Sequence, residues 1–134
     1  MPPDPEPRAQ AAEWLAHAKS NLILARSPKP DGVLWDHLCF EAQQAAEKAV
    51  KAALVAREIE FPATHDIGAL LTCLESGEHG ILEDLWEAAA VLTPYAVLAR
   101  YPGFDPPASE EAHRQALAMA EQVVRWAEAI IRGA

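Results

Sequence analysis

No segment of this 134-residue chain holds the roughly 20 consecutive apolar residues that a membrane-spanning helix needs. Basic charge is short as well, with eleven Lys and Arg against twenty Asp and Glu for a net charge of -9. A protein that grips nucleic acid by its phosphates carries a basic stripe, and this field opposes one. Cysteine is scarce: Cys39 and Cys73 form neither a CxxC nor a disulfide framework. Both sit in apolar surroundings and read as buried thiols in a reducing compartment, the cytoplasm. The six glycines are isolated, so no phosphate-cradling loop is present, and no Ser or Cys stands in a nucleophile elbow. His17, His37, His65, His79 and His113 lack the HExxH or HxxxH spacing of a metal site, so neither metal nor cofactor is expected.

β-branched residues are few and scattered, whereas Ala, Leu and Glu abound, which favours helix. Apolar residues make up 51% of the chain, enough for one core and one domain. The prolines gather at Pro2 to Pro7, at Pro28 and Pro30, and at Pro102 to Pro107, where a bundle has its tail and loops. Residues 1–7 read as a flexible Pro-rich leader without the basic and apolar regions of a signal peptide, and residues 8–134 as the bundle.

Five helices are expected. The first spans Arg8 to Arg26, with Ala11, Leu15, Ala18, Leu22 and Ala25 on one face. The second spans Val33 to Arg57, with Asp31 as its candidate cap. A short third begins near Thr64-His65-Asp66, with Thr64 as N-cap, and ends at Ser76-Gly77. The fourth spans Ile81 to Arg100, kinked or broken at Pro94, and the last follows Ser109 as its cap. Trp14, Trp86 and Trp126 read as core and interface anchors. The order makes an all-α, antiparallel up-and-down bundle of four long helices plus one short helix.

The second helix is the most informative. On a helical wheel, His37, Glu41, Gln44, Lys48 and Lys51 share a narrow polar arc. Leu34, Leu38, Ala42, Ala45, Ala49, Ala52 and Ala56 form a stripe of mostly small residues, while Phe40, Val50 and Leu54 lie nearly opposite. A helix apolar on two sides must be covered on two sides, so this one is central. Gln43 and Glu47 interrupt the second apolar face, and a carboxylate there needs a partner. Glu47 is then either a structural ion pair or a ligand or partner contact, and Arg100 is a candidate cation for it. His65 and Asp66 are open to a capping or a functional role. The candidate binding residues are Gln43, Glu47, Lys48, Lys51, His65, Asp66, Arg100 and Tyr101; none is assigned as catalytic.

Three pieces in this order resemble the HEPN family, short prokaryotic helical domains found beside minimal nucleotidyltransferases. They are Cys39-Phe40-Glu41-Ala42-Gln43-Gln44-Ala45-Ala46-Glu47-Lys48-Ala49-Val50-Lys51-Ala52-Ala53-Leu54, then Thr64-His65-Asp66-Ile67 with Leu70-Leu71, then Arg100-Tyr101-Pro102-Gly103. The resemblance runs from Arg8 to Ile131. It implies a bundle of four or five helices, similar to the substrate-binding domain of kanamycin nucleotidyltransferase, and a homodimer. It further implies a small nucleotidyltransferase partner in a pair resembling toxin–antitoxin systems, with a nucleotide as a suggested ligand. Many family members are RNases marked by an Arg with a His little more than one helical turn further on. Here seven residues separate Arg57 from His65 and twelve separate Arg100 from His113. The chain therefore resembles the non-nuclease branch, with a metal-independent RNase acting across a dimer as the alternative.

Overall fold

The computed structural model describes residues 6–75, 81–98 and 107–133. Six helices follow in order: α1 (Pro7–Arg26), α2 (Trp35–Ala56), α3 (Ile67–Glu75), α4 (Glu83–Leu92), α5 (Tyr95–Leu98) and α6 (Glu110–Arg132). There is no strand among the described residues, and the architecture is the antiparallel helical bundle expected from the hydrophobic periods.

The ends of these helices follow local chemistry. Pro7 opens α1 from a position where its missing N–H costs nothing, one residue earlier than the periodicity places it. Asp31 does not cap α2. It lies with Gly32 at the centre of a turn closed by Val33 N–H donating to the Pro30 carbonyl at 3.1 Å, and Gly32 takes φ +85° there. Only glycine adopts that backbone without strain. The residue before α2 is Leu34, which offers no side-chain bond.

At the far end of α2, Ile59 N–H donates to the Leu54 carbonyl at 2.9 Å and Glu58 N–H to the Val55 carbonyl at 3.0 Å. This paired closure places Glu58 at φ +55°, and Ile59 folds back onto the core. Thr64 was expected to cap α3, but Asp66 does so. Its Oδ1 accepts from Ala69 N–H at 3.2 Å, while Thr64 Oγ1 accepts from Asp66 N–H. The Ser76-Gly77 stop lies outside the described residues.

Proline breaks the expected fourth helix in two. α4 closes at Thr93, and α5 restarts after Pro94 with its first turn bonded to the Thr93 and Pro94 carbonyls. The break has a use, because Thr93 Oγ1 accepts from Ile67 N–H at 3.2 Å and pins the start of α3. Ser109 caps α6 as expected, accepting from Ala112 N–H at 3.0 Å.

α2 is the axis, packing against α1, α3, α4, α5 and α6. Its small-residue stripe is buried from Leu38 through Ala42, Ala45 and Ala49 to Ala52, whereas Leu34 at the lead-in is exposed and Ala56 is half-buried. Ala11, Ala18, Leu22 and Ala25 of α1 are buried, as are Ala116, Ala120, Val123, Val124 and Ala127 of α6. Alanines on all three helices let the backbones approach closely. Cys39 is fully buried, and burial pushes its thiol pKa up to about 11, so it behaves as a small apolar residue. Cys73 is half-buried.

Other contacts tie the ends together. Asp36 Oδ1 accepts from Ala108 N–H at 3.0 Å, and His113 Nε2 bonds the Ala25 carbonyl at 2.7 Å. Since a carbonyl can only accept, the His113 proton sits on Nε2. Trp35 lies 5.0 Å from the His113 ring, centroid to centroid.

A larger side chain at the fully buried Ala49 has nowhere to go. Ala49→Leu is expected to cost about 1–3 kcal/mol through overpacking, read as a melting temperature several degrees lower. An unchanged melting temperature would show that this seam is loose.

Candidate functional site

Near the middle of α2, where the bundle is otherwise alanine and leucine, five polar side chains form one hydrogen-bonded cluster. Glu47 is 3% exposed and Gln43 is fully buried. Gln43 Nε2 donates to Glu47 Oε1 at 3.0 Å and reaches the His65 carbonyl at 3.3 Å. Lys51 Nζ donates to Glu47 Oε2 at 2.9 Å, and His65 Nδ1 meets Oε1 at 2.9 Å. Gln44 Nε2 closes the chain on Gln43 Oε1 at 2.7 Å. Both carboxylate oxygens are therefore occupied.

Burial alone would raise the Glu47 pKa. The bonds from Gln43, Lys51 and His65, together with the Lys51 charge, outweigh that and hold it below its ordinary 4.5. Glu47 is an ionised acceptor at neutral pH, so the His65 proton must lie on Nδ1. In the neutral ring the other nitrogen, Nε2, carries a lone pair on a side chain that is 55% exposed. A buried carboxylate thus sets the tautomer of a surface imidazole.

The sequence-derived candidates divide three ways. Gln43, Glu47, Lys51 and His65 come together. Lys48 does not join them: its Nζ donates to Asn21 Oδ1 of α1 at 2.9 Å, and Asn21 Nδ2 donates to Glu41 Oε2 at 2.7 Å. Asp66 is exposed and its carboxylate caps α3. Arg100 and Tyr101 lie outside the described residues.

The cation for Glu47 was expected from another segment or subunit, with Arg100 as the candidate, but Lys51 of the same helix supplies it. The wheel put Lys51 on the polar arc, yet four residues advance a helix by one turn plus only about 40°. A long side chain spans that offset easily, and Lys51 is buried at 9% exposure. The other neighbour, His65, does come from a separate segment.

Sequence reasoning missed Asn21 and the placement of Trp14. The Lys51 ammonium lies 5.6 Å from the Trp14 ring centroid, so the cluster extends from His65 through Glu47 and Lys51 to α1. Trp14 also lines a surface cleft with Gln10, Glu13, His17 and Lys48. The signal was available in the helical spacing of Gln10, Trp14, His17 and Asn21 on one side of α1. Among the described residues, no group of three or more His, Cys, Asp or Glu side chains is arranged to hold a metal ion. None of the described helices is long and apolar enough to cross a membrane.

The HEPN domain model matches residues 11–130, and the chain belongs to the HEPN family. Its bundle is similar to the crystal structure of TT1696 from Thermus thermophilus, at 34% identity and a TM-score of 0.77 over 90% of this chain and 98% of that one. It is also similar to ST0689, an archaeal HEPN homologue, at 27% identity and a TM-score of 0.73 over 90% and 97% of the two chains. No curated protein matches.

Removing only the carboxylate leaves Lys51 charged and buried without its partner. Glu47→Gln is expected to destabilise the fold by about 3–5 kcal/mol, and adding Lys51→Met to recover much of that loss. Because folding lowers the Glu47 pKa, its stabilisation is fully present above the unfolded value near 4.5 and fades as pH falls through the folded value. Urea unfolding at pH 7 and across the acid range checks both points. Equal losses in the single and double variants would contradict the ion-pair account.

Proposed function

We propose that this HEPN chain is a non-catalytic cytoplasmic subunit that dimerises, docks a small nucleotidyltransferase and holds a nucleotide, as one half of a toxin–antitoxin-like pair. One observation carries the binding role: the bundle commits an ionised cluster to its interior and leaves the His65 ring half in solvent at the edge of that cluster. Buried ion pairs add little stability over well-packed apolar residues. A pre-oriented imidazole at the surface gives the cluster a purpose that packing does not. Family membership supports the dimer and the nucleotidyltransferase partner.

Calorimetric titration with ATP and other nucleotides, with and without a co-expressed nucleotidyltransferase, tests the proposal alongside light scattering. The expected results are a dimer, a stable complex and heat on nucleotide addition. A monomer that neither binds the transferase nor takes up nucleotide at millimolar concentration would sink it.

A second reading has its own observation. Glu47 fixes the His65 proton on Nδ1, and the lone pair on Nε2 is the form that a general base in RNA cleavage requires. His113 does not compete for that role, since it is buried and its Nε2 proton is spent on Ala25. On this reading His65 takes the 2′-hydroxyl proton as that oxygen attacks the phosphorus, the P–O5′ bond breaks with the 5′-oxygen protonated from water, and Arg100 stabilises the phosphate across a dimer. Total RNA incubated with wild type, His65→Ala and Arg100→Ala decides it. Degradation lost in both variants supports the nuclease, and intact RNA with wild type removes it.

A further inference from the structure

We propose that the cleft between α1 and α2 floored by Trp14 is the nucleotide seat, with the base against the indole and the phosphate on Lys48. The inference rests on the nucleotide-holding reading above and gives it a location that shares only Lys48 with the candidates read from the sequence. The cleft is open to solvent on one side, offers roughly 330 Å³ and is lined by Gln10, Glu13, Trp14, His17 and Lys48. That volume lies at the lower end of small-molecule sites, which suits a mononucleotide better than a longer strand.

The lining matches the parts of such a ligand. Trp14 is half-buried and held in place by the Lys51 ammonium, so it offers a rigid indole surface on which any planar base can stack. Lys48 is anchored by Asn21 Oδ1 at 2.9 Å, which spends one of its three donors and aims the others. Among the described residues it makes no ion pair, so its charge is available to an anion. His17 is exposed on the same cleft, and its ring N–H adds a second nitrogen donor for a phosphate. Glu13, exposed at the rim, would repel phosphate but accepts well from an exocyclic amine or from ribose hydroxyls. The two signs of charge on one small cleft therefore orient the ligand. The overall charge of -9 opposes a polyanion more strongly than a monophosphate, which again favours a single nucleotide over RNA.

The seat is also wired to the buried cluster. Lys51 touches both Trp14 and Glu47, and Glu47 holds His65. Occupancy of the cleft and the state of His65 share one lysine.

Calorimetry on the full chain with AMP, adenosine and inorganic phosphate tests this. AMP is expected to bind more tightly than adenosine, and free phosphate least. Trp14→Leu should weaken AMP by about tenfold or more, the scale of a lost base stack, while Trp14→Phe keeps most of the affinity. Lys48→Gln should bring AMP down to the level of adenosine. Circular dichroism confirms the fold of each variant, and Lys48→Gln remains informative if Trp14→Leu unfolds. AMP binding that survives both Trp14→Leu and Lys48→Gln but is lost in His65→Ala overturns this seat and leaves the nucleotide-holding role standing. No binding of AMP by wild type overturns both.

Discussion

Glu47 sits on an inward face of the central helix, with 3% of its surface exposed, and must be ionised for the cluster around it to close. Everything nearby is arranged to allow that. Lys51 comes back from the next turn of the same helix, Gln43 comes forward from the previous one, and His65 arrives from the loop before α3. The loop is itself held by the Asp66 cap and by Thr93, which is available because Pro94 breaks the helix there. A single buried carboxylate thus depends on a helix repeat, a cap and a proline. Loss of Lys51 would leave an uncompensated charge in an apolar interior, and loss of the cap or the helix break would loosen the loop that brings His65 to the other carboxylate oxygen.

The alanine seam makes the burial possible. Small residues on α1, α2 and α6 bring three backbones close and enclose the inward faces of α2, which leaves little water for Gln43, Glu47 and Lys51. The same closeness lets Lys51 bridge from Glu47 to the Trp14 ring of α1. Core packing and the proposed sites are therefore one construction, in which the tight seam dictates where charge must be neutralised and which side chains reach the surface.

Much of this was legible beforehand, and the reasons differ by element. The 3.6-residue period in α1, α2 and α6 marked the helices, and Gln43 and Glu47 stood out because they interrupt an apolar face. Ser109 was readable as a cap because its position relative to Glu110 and Glu111 is local. Pairings that depend on side-chain reach were not. Lys51 looked like part of a polar arc, yet its flexible stem carries the charge inward. Lys48, one turn-fraction away on the same arc, points to Asn21 instead. Asp31 has a capping residue's chemistry but sits in a turn whose geometry Gly32 sets. Trp14 read as an anchor: its spacing with Gln10, His17 and Asn21 marks a polar side of α1, but the reach of Lys51 from α2 to its ring lies outside any local pattern.

The central claim is that Glu47 dictates the tautomer of His65, and nitrogen-15 NMR of the labelled protein reads that directly. At a pH where the ring is neutral, the account predicts a protonated Nδ1 and an unprotonated Nε2 for His65. Predominant protonation at Nε2 would mean that the carboxylate does not hold the ring, and the site built on that contact would go with it.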